Sequence, residues 1–289
     1  MGEKFSGDTI TRETETVIKP KSPWFSLNLR ELLQYWDLTV LFVKRNFTSL
    51  YKQTILGPAW AIIQPLLTTV IFTLIFGNIA NLGAAGVPNF VFFLCANVAW
   101  GYFATCLTET ANTFTANTAI LGKVYFPRLV MPISTVLTNL IAFAIQFGMF
   151  AIALVIYVLI GANVHPNLYM LLLPALILQM ALLSLGCGII VSAATTRYRD
   201  LRFVVGFGVQ LWMYATPVAY DIGIIPARYL PIYMLNPMTP IINTFRYAFL
   251  GVGQIDWGYY GIGWGVTLAL LLLGIVLFSR VEKTFMDTI

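Results

Sequence analysis

The side chains able to do acid, base, nucleophilic or metal chemistry are few in this sequence, and they do not gather. The single histidine, His165, stands in an Asn163-Val164-His165-Pro166 turn and reads as a loop residue, not a proton relay. Cys95, Cys106 and Cys187 all fall in apolar stretches. Their odd number and lack of metal-ligand spacing make them small buried hydrophobes. No Gly-x4-Gly-Lys-Ser/Thr run offers a phosphate cradle. No cluster of His, Cys or paired carboxylates has the makings of a catalytic or metal site. The chain therefore reads as a non-enzyme with no cofactor of its own.

The elements around these residues are those of a membrane protein. The chain is 58% hydrophobic and 10% charged, against about 25% charged in soluble domains. Several stretches exceed the ~20 apolar residues that cross ~30 Å of hydrocarbon. The fold class is all-α and integral to the membrane. The net charge of +5 follows the positive-inside pattern and gives no sign of a nucleic-acid partner. Glu109 and Asp221 lie just past span ends, where solvation is the ordinary outcome. A proton- or ion-coupled carrier keeps ionisable groups at mid-membrane. Without them, energy comes from a partner or transport is passive.

The chain divides into a disordered cytoplasmic leader (1–25), an amphipathic helix (26–53) and a six-span domain (54–289). Asn28 to Glu31 has capping-box spacing. Leu29, Leu32, Leu33, Trp36, Val40, Val43, Phe47 and Leu50 recur at helical steps, with Arg30, Glu31, Gln34, Asp37, Lys44 and Arg45 on the remaining surface. Such a helix is too charged to span and is expected to lie in the membrane interface. Spans are expected at Leu56–Gly77, Phe90–Leu107, Leu129–Ile160, Leu168–Ala194, Phe203–Tyr220 and Tyr259–Ser279, with Pro65, Pro132, Pro174 and Pro217 inside them. Fifteen Lys and Arg fall on the side of the termini and two, Arg228 and Arg246, on the other. That asymmetry puts both termini in the cytoplasm. Between the last two spans, Pro226, Pro231, Pro237 and Pro240 interrupt a moderately apolar segment. Ile232–Leu235 and Ile241–Phe245 are expected there as short helices, either re-entrant or within a folded surface loop.

Aromatic residues make up 15% of the chain. Trp60, Phe72, Phe76, Phe93, Trp100, Tyr102, Phe103, Trp212 and Tyr214 lie on the first, second and fifth spans. Their rings either contact lipid or face a pore, where they would stack weakly on sugar rings in many registers. The amphipathic loop from Ala116 to Arg128 is either a partner's docking helix or a connector. Tyr198-Arg199-Asp200, with Arg197 and Arg202, is a charged turn able to anchor topology or bind lipid phosphate or a partner.

An ordered set of motifs carries a resemblance from about Trp24 to Gly251. These are Tyr51-Lys52-Gln53-Thr54-Ile55-Leu56-Gly57-Pro58; Lys123-Val124-Tyr125-Phe126-Pro127-Arg128; Arg197-Tyr198-Arg199-Asp200; Trp212 with Thr216-Pro217-Val218; and Leu235-Asn236-Pro237-Met238-Thr239-Pro240 followed by Phe245-Arg246. Together they resemble the membrane permeases of bacterial polysaccharide and teichoic-acid ABC exporters. The resemblance implies a homodimer in the bacterial inner membrane with two separate ABC ATPase subunits, which hold the ATP and Mg. The cargo would be an undecaprenyl-pyrophosphate-linked glycan, of O-antigen type or alternatively a teichoic acid. It implies coupling to the ATPase through Asn117, Ile120, Leu121, Lys123, Tyr125, Arg128, Arg197, Arg199 and Asp200. It implies head-group entry past the interface helix, where Lys44, Arg45 and Lys52 are the cations. It implies an outer gate at Tyr233, Asn236, Pro237, Phe245 and Arg246. Gly122, Glu109 and Pro240 depart from the pattern of relatives.

Overall fold

The computed structural model describes residues 29–52, 56–117, 120, 126–197 and 200–285, and every regular element among them is helical. The leader and the proposed cap at Asn28 lie outside these residues, as do Gln53–Ile55, Leu121, Lys123, Tyr125, Tyr198 and Arg199.

The expected interface helix is two helices, α1 (Leu29–Gln34) and α2 (Trp36–Tyr51). They are separated at Tyr35, whose φ of −95° and ψ of 23° fall in the bridge region between helix and strand. Gly57 opens the first span in the left-handed region, with φ 49°, a conformation glycine adopts without steric cost. A turn of 3-10 helix at Gly57–Ala59 leads into α3 (Trp60–Phe72), which continues as a π-helical stretch at Thr73–Ile79. Then come α4 (Asn89–Ala116), α5 (Val130–Leu159), α6 (Leu173–Arg197), α7 (Leu201–Tyr214), α8 (Leu230–Leu235), α9 (Met238–Leu250) and α10 (Trp257–Phe285). A 3-10 turn at Leu168–Leu172 precedes α6.

Five of these segments are long and apolar enough to cross a membrane: Gly57–Ile79, Asn89–Ala116, Val130–Leu159, Leu168–Thr195 and Trp257–Ser279. The expected fifth span is different. Its helix, α7, has 14 residues and is about 21 Å long, short of the ~30 Å core. Pro217 supplies the reason, because a residue preceding proline is pushed away from helical geometry. Of the four prolines expected inside spans, only Pro65 interrupts a helix interior. Pro132 and Pro174 occupy the first turns of α5 and α6, where an absent N–H breaks no helical bond. The second span runs nine residues past the expected Leu107 end, to Ala116. Glu109 is therefore inside α4 and not beyond it.

The loops sort to two ends. At one end Asp221 donates its N–H to Leu82 O (2.9 Å), His165 to Leu250 O (3.1 Å) and Asn167 to Ala248 O (3.0 Å). At the other, Thr195 near the end of α6 donates to Ala111 O (3.2 Å) and Arg45 Nη2 donates to Asn117 Oδ1 (3.1 Å). Phe42 of α2 lies 5.7 Å from Phe126, and Phe114 lies 5.0 Å from Phe278.

Helix α4 is the axle. It packs on α3, α5, α6, α7 and α9, and 78% of its apolar window is buried, against 11% to 28% for the other four spans. Those four keep apolar faces turned outward. Helices α6 and α10 meet closely. A Cβ added to Gly186 would lie 2.8 Å from the Leu271 backbone, and one added to Gly274 would lie 2.8 Å from the Gly186 carbonyl oxygen. Small residues let membrane helices approach at this distance. Gly186→Ala is expected to cost about 1–3 kcal/mol through forced separation of the two helices. Gly148→Ala, which meets nothing within 4 Å, is expected to cost nothing. Thermal unfolding midpoints in detergent compare the two.

Candidate outer gate and inner junction

The break after α7 leaves backbone carbonyls without helical partners, and α9 answers them. Arg246 of α9 is 2% exposed. Its Nη1 donates to Pro217 O (2.7 Å) and Tyr220 O (3.0 Å), and its Nη2 to Val218 O (2.8 Å). The guanidinium carbon lies 3.7 Å from the Phe92 ring centroid, so the ring face covers the cation. Arginine suits this position because its planar fork reaches several acceptors at once.

Asn236, between α8 and α9, makes the second fastening. Its Oδ1 accepts from Trp212 Nε1 (3.0 Å) and from Met238 N (3.2 Å). Its Nδ2 donates to Thr216 Oγ1 (2.8 Å) and, at 3.4 Å, to Ala215 O. Thr216 in turn donates to Trp212 O (2.8 Å). Tyr220 Oη adds a bond to Tyr214 O (3.1 Å). The end of α7 is thus held by side chains from a segment twenty to thirty residues further along.

Of the residues expected at an outer gate, Asn236, Pro237, Phe245 and Arg246 come together here, all but Asn236 buried. Tyr233 is only partly covered. Phe245 joins Phe150 (6.0 Å) and Phe249 (4.8 Å) in an aromatic packet behind the Arg246 site. Arg246, which the charge count placed opposite the termini, is buried. Phe92 was visible in the sequence only as one ring among many.

The expected channel-lining rings separate by location. Phe72, Phe93, Trp100, Tyr102 and Phe103 are buried in the protomer. Trp100 and Phe103 lie 6.4 and 5.1 Å from Trp212, itself partly buried, and Phe72 lies 5.2 Å from Phe76. In this conformation these rings pack against one another, because α4 is enclosed by its neighbours. Trp60 and Tyr214 are exposed.

At the end opposite Arg246, Arg45 is engaged: it bonds Asn46 as well as Asn117 and lies 4.7 Å from the Phe42 centroid. Lys44 and Lys52 are exposed. Asn117 Nδ2 donates to Thr113 O (2.8 Å), and Ile120 N donates to Asn117 O (3.0 Å). Arg128 is buried and Asp200 exposed; the Arg197 side chain lies outside the described residues. No group of three potential metal ligands occurs among the described residues.

The family model for the ABC-2 type transporter matches residues 37–250. An O-antigen export system permease protein RfbA from Klebsiella pneumoniae is 28% identical over 265 residues, covering 91% of this chain and 99% of that one. A protein of the same name from Myxococcus xanthus is 29% identical over 225 residues, covering 76% and 83%.

Arg246→Ala is expected to lower stability by about 3 kcal/mol or more, since it strands two buried carbonyls and a partly buried third. Arg246→Lys, with one point charge in place of a fork, is expected to fall between Ala and wild type. Unfolding midpoints in detergent give the order.

Proposed function

Because the chain belongs to the ABC-2 type transporter family, we propose that it is the membrane permease of an ATP-driven exporter that moves lipid-linked, O-antigen-type polysaccharide across a bacterial inner membrane. The observation that carries this reading is the match, over 91% of this chain and 99% of the relative, to an O-antigen export permease. The family implies a partner ABC ATPase, and this chain has no phosphate-binding loop of its own to replace it.

The channel would form between two copies of the chain. Support comes from the outward apolar faces of α3, with Trp60, Leu67, Ile71 and Leu74, and of α7, with Phe203, Phe207 and Leu211. Six crossings are supported by the two-ended sorting of loops, with residues 215–221 completing the crossing that α7 begins. Both termini would then be cytoplasmic. The ATPase would dock on the segment from Asn117 to Arg128 and on the turn near Asp200. The Arg45–Asn117 bond would tie α2 to that docking segment. Lys44 and Lys52 would attract the anionic head group of the lipid carrier at roughly 1 kcal/mol each near an anionic surface.

Deleting the gene is expected to leave polymer trapped inside on its lipid carrier, seen by labelling intact and permeabilised cells separately. Normal surface polymer would remove the assignment, and trapped teichoic acid would replace the cargo. Lys44→Glu combined with Lys52→Glu is expected to cut export at least about fivefold at unchanged protein level, measured by pulse-labelling of surface polymer.

A further inference from the structure

A crevice of about 230 Å³ opens between α2, α4 and α5, lined by Asn46, Ser49, Leu50, Glu109 and Thr138. It lies at the inner end, about two helical turns before α4 finishes at Ala116. A carboxylate within a membrane-spanning helix is costly and is kept for a function.

The donors and acceptors of the crevice are unbalanced. Glu109 Oε2 accepts from Asn139 Nδ2 at 2.6 Å. Among the described residues, no cationic side chain pairs with Glu109 and no donor meets its other oxygen. Thr138, 2% exposed, has committed its hydroxyl hydrogen to Ser134 O (2.7 Å) and offers only lone pairs. Ser49 adds a further hydroxyl. Asn46 has its oxygen occupied by Arg45 and presents its amide hydrogens. Glu109 and Thr138 therefore call for a compact cation with several N–H donors, which describes a primary ammonium group, while the Asn46 amide and Ser49 hydroxyl can donate to an anionic group beside it.

The rim supplies the remaining chemistry. Lys52 is exposed one turn beyond Ser49, and the Asn46 amide and the Ser49 hydroxyl stand on the lining itself. Leu50 at the mouth is 46% exposed. This order, a carboxylate on one wall, amide and hydroxyl donors on the facing helix with Lys52 one turn beyond, and an exposed apolar side chain beside them, complements a zwitterion whose ammonium meets Glu109, whose phosphate meets those donors and whose acyl chains run outward. We infer that the crevice between α2, α4 and α5 is a binding site for the head group of a primary-ammonium phospholipid such as phosphatidylethanolamine. The inference rests on the reading of α2 as an interface helix and is independent of the exported cargo. A trimethylammonium head has no N–H to give Glu109. A purely anionic head meets a carboxylate of its own sign.

The test uses the full chain, purified with its ATPase and exposed to equal parts of phosphatidylethanolamine, phosphatidylcholine and phosphatidylglycerol. Native mass spectrometry reads the retained lipid. Wild type is expected to retain phosphatidylethanolamine over each of the others by about tenfold, the scale of one charge-assisted hydrogen bond. Glu109→Gln is expected to reduce the preference over phosphatidylcholine to within about twofold. Ser49→Phe, at an exposed rim position that leaves the Glu109–Asn139 pair intact, fills the crevice and is expected to do the same; it decides the matter if Glu109→Gln does not fold. Equal retention by wild type, or a preference that survives Ser49→Phe, would overturn the inference. Failure of export with an intact lipid preference would instead count against the proposed cargo alone.

Discussion

The half of this protein that carries α8 and α9 depends on a buried cation held by carbonyl oxygens. Arg246 sits where an unpaired charge would cost several kcal/mol. Three carbonyls from the broken end of α7, and the face of Phe92, compensate it. The exchange works in both directions, because those carbonyls would themselves be orphans without the guanidinium. Helix α9 is thereby drawn against α4, and the chain after Tyr214 is fixed in a non-helical path. Asn236 repeats the arrangement at smaller scale with Trp212 and Thr216. A proline-broken helix end is tolerated at membrane depth only with such satisfaction of its backbone.

Helix α7 packs on α4 and α6 and has little protein on its other side. Phe203 is 81% exposed and Phe207 63%, while the rings of α4 are enclosed. The same constraint thus divides the aromatic residues into those that hold the protomer together and those left to lipid, a second copy or a passing polymer. It also joins the segment of α8 and α9 to the end of α7.

Much of this architecture was legible in the sequence. The long apolar stretches gave the spans at α3, α5, α6 and α10 because composition alone decides them. The proline-rich segment after α7 read as two short helices, although α9 proved longer, closing at Gly251 with φ 75°. Other features were hidden for physical reasons. Periodicity cannot distinguish a ring facing a pore from one facing a neighbouring helix when α4 carries aromatic residues on several faces. The charge count treated Arg246 as an outer loop cation, since a count carries no information on burial. The motifs Trp212-x3-Thr216-Pro217 and Asn236-Pro237 with Arg246 stood apart in sequence, and only the fold shows them to be one site. Glu109 was placed just past a span end, where snorkelling or solvation is the ordinary outcome, because the end of α4 was placed too early.

The central claim is that the outward faces of α3 and α7, and not the rings of α4, meet the transported polymer. Single cysteines placed by Leu74→Cys, Phe207→Cys, Leu211→Cys and Phe103→Cys, in a chain whose Cys95, Cys106 and Cys187 are replaced, test it most directly. Labelling by a water-soluble thiol reagent would be measured in membranes with the ATPase present. The expected result is labelling at positions 74, 207 and 211 that the polymer slows, with position 103 unreactive. Rapid labelling at 103, with 207 and 211 silent, would contradict the account.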